Sequence, residues 1–200
     1  MPGWRGSSQR LAPGTPVRQG LGVTDVPTFR YHPDPVATGE VITSGDPCRC
    51  CGRQRGFIYT GPVYSEEEVV EELCLWCVAD GSAATLFEAE FTDVLDVPDD
   101  VPRPVLTEVL TRTPGFSGWQ QEHWMFHCAD AAAYLGKVGY EELLAVPEAM
   151  DMVRQDISRR SWPEEHRERY LRSLAPMGEA TGYLFHCLHC GTHLAYSDRV

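Results

Sequence analysis

The stretch PCRCCGRQRG, residues 47–56, places three cysteines within four positions, between a proline and a basic run. Thiols so spaced can form a disulfide staple, a redox couple, a nucleophile or one half of a metal site. The choice depends on what else the chain supplies. Eight cysteines occur in all, and six of them form three C-x-x-C pairs: Cys48/Cys51, Cys74/Cys77 and Cys187/Cys190. Two pairs continue into glycine, Gly52 and Gly191. C-x-x-C-G is the zinc-knuckle pattern: a tight turn aims backbone N–H groups at the thiolates, and glycine supplies the positive φ that the turn needs.

A tetrahedral zinc takes two such pairs. Cys48 and Cys51 are therefore expected to close with Cys74 and Cys77, across 22 intervening residues, a spacing typical of four-cysteine sites. Cys50 is left over inside the knuckle as an ordinary residue. The C-terminal pair, Cys187 and Cys190, needs two more ligands. Cys128 is the one cysteine outside the first cluster still free to join it. His127 adjoins Cys128 and is taken as the fourth ligand, with His193 and His123 as alternatives. Both sets then consist of four protein ligands, which is the signature of structural zinc, because a catalytic zinc keeps a position open for water.

The other uses of cysteine fit less well. A disulfide framework belongs to an oxidising compartment, and the first residues lack the apolar core of a secretory signal. No run reaches the length of a membrane span. A cytoplasmic protein without membrane attachment is expected. A thioredoxin-like couple would be one pair in a βαβ setting, not three pairs. The chain has no H-E-x-x-H, no P-loop and no dinucleotide fingerprint, so no catalytic residue is assigned. A hydrolase with an open second metal site is the alternative, and His123, His127, Cys128 and Asp130 would then surround the metal.

Charge is unevenly placed. Of 29 acidic residues, 12 lie between Glu66 and Asp100, and no Lys or Arg occurs between Arg55 and Arg103. The remaining 17 acids are matched by 17 Lys and Arg, so the formal charge of −12 comes from that one window. Nucleic-acid binding needs a clustered basic face instead. The expected partner is a protein, and an acidic face suits a basic one.

Residues 1–25 are expected to be a disordered leader, and residues 26–200 a single zinc-binding domain. Pattern reading places a strand at Thr28–Tyr31, closed by a turn at His32-Pro33-Asp34-Pro35, and β structure in GFIYTGPVY. Ser65 and Glu68 form a capping-box pattern that predicts a helix from Glu66 to Leu73. Further helices are predicted at Ser82–Phe87, Pro104–Thr111, YEELLAV, PEAMDMVRQDIS and SWPEEHRERYLRSL, the last capped by Ser161. GWQQEHWMFHC reads as a strand, with Asp130 capping a helix over AAAYLG. TGYLFHCLHCGTHLAYSD reads as strand, knuckle, strand. The sum is an α+β fold: a small mixed domain with zinc-knuckle strands at both ends and a helical middle.

The blocks PTFRYHPDPVATGEVITSGDPCRCCGRQRGFIYTGPVYS, LCLWCVADGSAA, FEAEFTD, TPGFSGWQQEHWMFHCADAAAYLG and GYLFHCLHCGTHLAYSD, in this order, resemble the bacterial CbrC-like family. The resemblance runs from about Val26 to Asp198. It implies the domain assignment and a label of tolerance to a nuclease colicin, hence a toxin-neutralising role as a special form of protein binding.

Overall fold

Strand β1 (Val41–Pro47) runs into the first knuckle and returns as β2 (Gln54–Tyr59), which pairs with the short β3 (Leu73–Cys74). Burial rises along β2 until both faces of its end are covered, and the successive residues Ile58 and Tyr59 both enter the core. Two short helices follow, α1 (Leu75–Ala79) and α2 (Ser82–Phe87), then α3 (Arg103–Arg112). The computed structural model describes residues 26–200, so the leader expected at 1–25 lies outside the described residues.

A two-residue hairpin, β4 (Phe126–His127) and β5 (Asp130–Ala131), leads into β6 (Ala133–Val138). Helices α4 (Tyr140–Leu144), α5 (Pro147–Ser158) and α6 (Glu164–Ser173) precede the final hairpin, β7 (Ala180–His186) and β8 (His193–Arg199). The second sheet has the order β6-β7-β8, all antiparallel. One of its faces packs Ala195 and Leu184 against α5 and α6 residues such as Val153 and Leu171. The other buries Tyr134, Tyr183 and Phe185 with Phe116 and Trp124. A third core surrounds the first cysteine cluster, including Ile58, Leu73, Val78 and Phe91. The mixed α/β class with antiparallel sheets and a cysteine cluster towards each end is as the sequence implies. Among the described residues no helix is long and apolar enough to cross a membrane.

Several local expectations fail, each for a physical reason. Residues 66–73 are not helical. Arg49, projecting from the knuckle, donates to the Glu68 carbonyl (2.6 Å) and to the carboxylates of Glu67 (2.8 Å) and Glu72 (2.9 Å). It thereby takes a carbonyl that a helix would need, while Ser65 Oγ accepts from Glu67 N (3.2 Å) in a local turn and donates to Phe87 O, which holds it to another segment. Thr28–Tyr31 is irregular, because Tyr31 turns both its carbonyl and its hydroxyl inward, to Tyr134 N and Asp130. AAAYLG is extended, with Ala131 in β5 and Ala133 onward in β6, because β7 offers a ladder, bulged at Leu135, to a mostly buried segment; tertiary pairing overrides alanine's helix propensity. GWQQEHWMFHC is irregular apart from β4. Ser161 caps nothing; Pro163, extended at φ −58° and ψ 150°, takes the N-cap position of α6.

Candidate metal centres

The two C-x-x-C-G turns adopt the same hydrogen-bond pattern. In the first, Cys48 N donates to Arg53 O (3.0 Å) and Gly52 N to Cys48 O (2.7 Å). In the second, Cys187 N donates to Thr192 O (2.8 Å) and Gly191 N to Cys187 O (3.1 Å). Gly52 and Gly191 sit at φ +68° and +76°, the left-handed region that the turn requires of them.

The first knuckle, at the β1–β2 turn, faces the junction of β3 and α1. Cys74 closes β3 and caps α1, and Cys77 follows one helical turn later. Cys74 N also donates to Cys48 Sγ at 3.2 Å. Sulfur–sulfur separations are 3.8 Å for Cys48–Cys77, 3.9 Å for Cys51–Cys74 and 3.6 Å for Cys74–Cys77. Four sulfurs about 2.3 Å from a tetrahedral zinc would stand about 3.75 Å apart. The donor set therefore fits a zinc-sized, sulfur-loving ion. Burial pushes the Cys74 and Cys77 thiols up; at Cys51 burial is outweighed by the Arg53 N–H and the neighbouring thiols, which pull it down. A divalent cation at the centre would favour all four thiolates together. Cys50 points elsewhere, its Sγ 3.6 Å from Ser82 Oγ.

The second group comprises His127, Cys128, Cys187 and Cys190, with ligand atoms all within 4.8 Å of one another. His127 Nδ1 lies 3.3 Å from both Cys128 Sγ and Cys190 Sγ. A nitrogen and a sulfur on one tetrahedral zinc would be about 3.5 Å apart. His123 and His193, the alternatives for the fourth ligand, are not in this group: His123 uses its backbone N on Tyr196 and His193 faces Glu148. Thr192, through its hydroxyl and N–H, lowers the Cys190 thiol, whereas contact with Cys190 raises that of Cys128. The two centres differ in exposure. Cys48, Cys74 and Cys77 are buried, but Cys128 and Cys190 are open to solvent and only Cys187 is buried.

Asp130 was expected beside the metal or as a helix cap; the structure gives it a bracing role. Its buried carboxylate takes Arg30 (2.5 Å), Tyr31 (2.6 Å) and His189 (2.7 Å), tying the β4–β5 hairpin to the C-terminal knuckle. Burial opposes its charge, but Tyr31, His189, the Ala131 N–H and Arg30 together hold it below the usual carboxylate range. Nothing in the sequence marks Arg30, Tyr31 or His189 for this work, because the partner is about a hundred residues away in two of the three cases.

Fold and site together define a mixed α/β protein with two four-residue, cysteine-rich centres positioned to bind metal. The chain belongs to the family described as "Uncharacterised protein family (UPF0167)", whose model matches residues 26–199. It is similar to UPF0167 protein Mb2317 of Mycobacterium bovis and UPF0167 protein MT2352 of Mycobacterium tuberculosis. Each is 51% identical over 184 residues, covering 92% of this chain and 98% of the relative. UPF0167 protein PA1536 of Pseudomonas aeruginosa is 42% identical over 168 residues, covering 83% and 93%. No solved structure matches the chain.

Proposed function

We propose that this chain is a non-catalytic, zinc-stapled cytoplasmic protein that works by binding another protein. The observation that carries the zinc reading is the near-tetrahedral edge length among Cys48, Cys51, Cys74 and Cys77. Four protein ligands at each centre leave no vacant position, which favours a structural ion in both. Binding to a basic protein is supported by the acidic window, whose carboxylates at Glu66, Glu67, Glu68, Glu71 and Glu72 are all exposed. The CbrC-like label of tolerance to a nuclease colicin belongs to the same reading: nuclease toxins carry basic active faces that such a surface could cover. A metal-dependent hydrolase is the second reading, and it draws on the solvent exposure of Cys128 and Cys190.

Elemental analysis of purified protein should give two zinc per chain, one per chain in Cys74→Ser with a lowered melting temperature, and two in Cys50→Ser. Unchanged metal content in Cys74→Ser would sink the zinc reading. Recovery of partners by wild-type protein, but not by a variant with the acidic window neutralised, tests the binding role. X-ray absorption showing water on the second zinc would transfer the weight to the hydrolase.

A further inference from the structure

Beyond the two cysteine-rich groups, two histidines face each other across the second sheet. His186 and His193 are directly opposite in the β7–β8 register, so their side chains leave the same face of the sheet. Their ring centres are 5.0 Å apart with planes inclined at 50°. An imidazole nitrogen about 2.1 Å from a metal puts its ring centre about 3.2 Å from that metal. Two such rings stand about 4.5 Å apart at a right angle and about 5.2 Å apart at the tetrahedral angle. The observed separation lies between these limits.

Glu148, in the first turn of α5, reaches His193 Nδ1 at 3.1 Å. A carboxylate can only accept, so in the neutral ring Nδ1 carries the proton and Nε2 is the nitrogen with a free lone pair. That is the arrangement by which carboxylates orient metal-binding histidines. Both rings are partly exposed. Gly191 lies beside His186, where an added Cβ would stand in ordinary contact, 3.8 Å from His186 Nε2.

We propose that His186 and His193 form a third metal site, a two-imidazole seat for a borderline divalent cation, with Glu148 as its positioning residue. It differs in kind from the cysteine centres. Nitrogen ligands suit zinc, nickel and copper(II), and two ligands leave the remaining positions to water or to an incoming donor. A metal bound there would therefore stay open to exchange and to ligands from solution.

The test is a titration of the untagged, zinc-loaded wild-type chain with Ni²⁺, following heat, released zinc and the near-ultraviolet spectrum. One equivalent of nickel should bind with zinc retained and with no sulfur-to-nickel charge-transfer band. His186→Gln and His193→Gln should each abolish that equivalent, and Glu148→Gln should weaken it about tenfold. Absence of nickel binding, nickel uptake with zinc release and a sulfur band, or undiminished binding in the double glutamine variant would each overturn the site. The wild-type titration decides without relying on the folding of any variant.

Discussion

His32 is fully buried, and its ring joins two segments of the chain. Nδ1 donates to Pro114 O at 2.8 Å, and Nε2 receives the Thr38 hydroxyl at 2.6 Å. Burial depresses its pKa to about 4, against the opposing pull of Pro114 O and Asp34. An unfolded chain protonates histidine near pH 6.5, so between pH 6.5 and 4 the unfolded state binds the extra proton. The stability that neutral His32 contributes is complete above about pH 6.5 and is lost as pH falls towards 4, by on the order of 3 kcal/mol. Urea unfolding of wild type and His32→Asn at pH 7 and pH 5 should show the variant weaker at pH 7 but less sensitive to acid. Thiolate protonation at the cysteines acts on both proteins alike, so equal acid sensitivity would refute this role for His32. In the sequence, His32 shows only as part of a proline-rich turn. Its partner Pro114 is 82 residues away, and a burial that depends on so distant a contact leaves no local trace.

Among the elements, the legible ones were those whose chemistry is local. C-x-x-C-G specifies its own turn, and both knuckles adopt the expected geometry. The hairpin that delivers His127 and Cys128 was not legible. A two-residue loop of left-handed residues favours Asn-Gly, yet here Cys128 and Ala129 sit at φ +54° and +56°. With no glycine to signal a turn, MFHC reads as the end of a strand and Asp130 as the cap of a helix over AAAYLG. Such a conformation costs a non-glycine residue about 1–2 kcal/mol, and it persists because cross-strand pairing and the Asp130 brace hold the tip. Ala129→Gly should therefore stabilise the protein by about 1 kcal/mol, raising the melting temperature by roughly 2–4 °C, with zinc content unchanged. Gly191→Ala, at φ +76° in the knuckle, should do the reverse. Calorimetry on the two variants checks both signs, and a destabilised Ala129→Gly would show that the tip carries no backbone strain.

At the scale of the molecule, the two centres close loops of different reach. The first joins Cys48 to Cys77 within one core, whereas the second ties the β4–β5 hairpin to a knuckle across 58 intervening residues (Cys128 to Cys187), past all three C-terminal helices. Closure entropy grows only logarithmically with loop length, so the longer staple costs little more to form. The sequence carried this pairing by supply: once four cysteines were committed to the first cluster, Cys128 was the thiol left for Cys187 and Cys190. What it could not carry was the difference in access. Cys128 and Cys190 face solvent, while Cys48, Cys74 and Cys77 of the first four are buried in the N-terminal core. A chelator reaches an exposed site directly, but reaches a buried one only through local opening of the core around it. Zinc release to a coloured chelator should therefore be biphasic, one equivalent fast and one slow. The fast phase should disappear in Cys128→Ser and the slow phase in Cys74→Ser. After the fast phase the N-terminal core should keep its near-ultraviolet dichroism, because its own staple is intact. Release of both equivalents in a single phase, or loss of the slow phase in Cys128→Ser, would mean that the two centres open together and that the chain has one cooperative metal-linked unit rather than two.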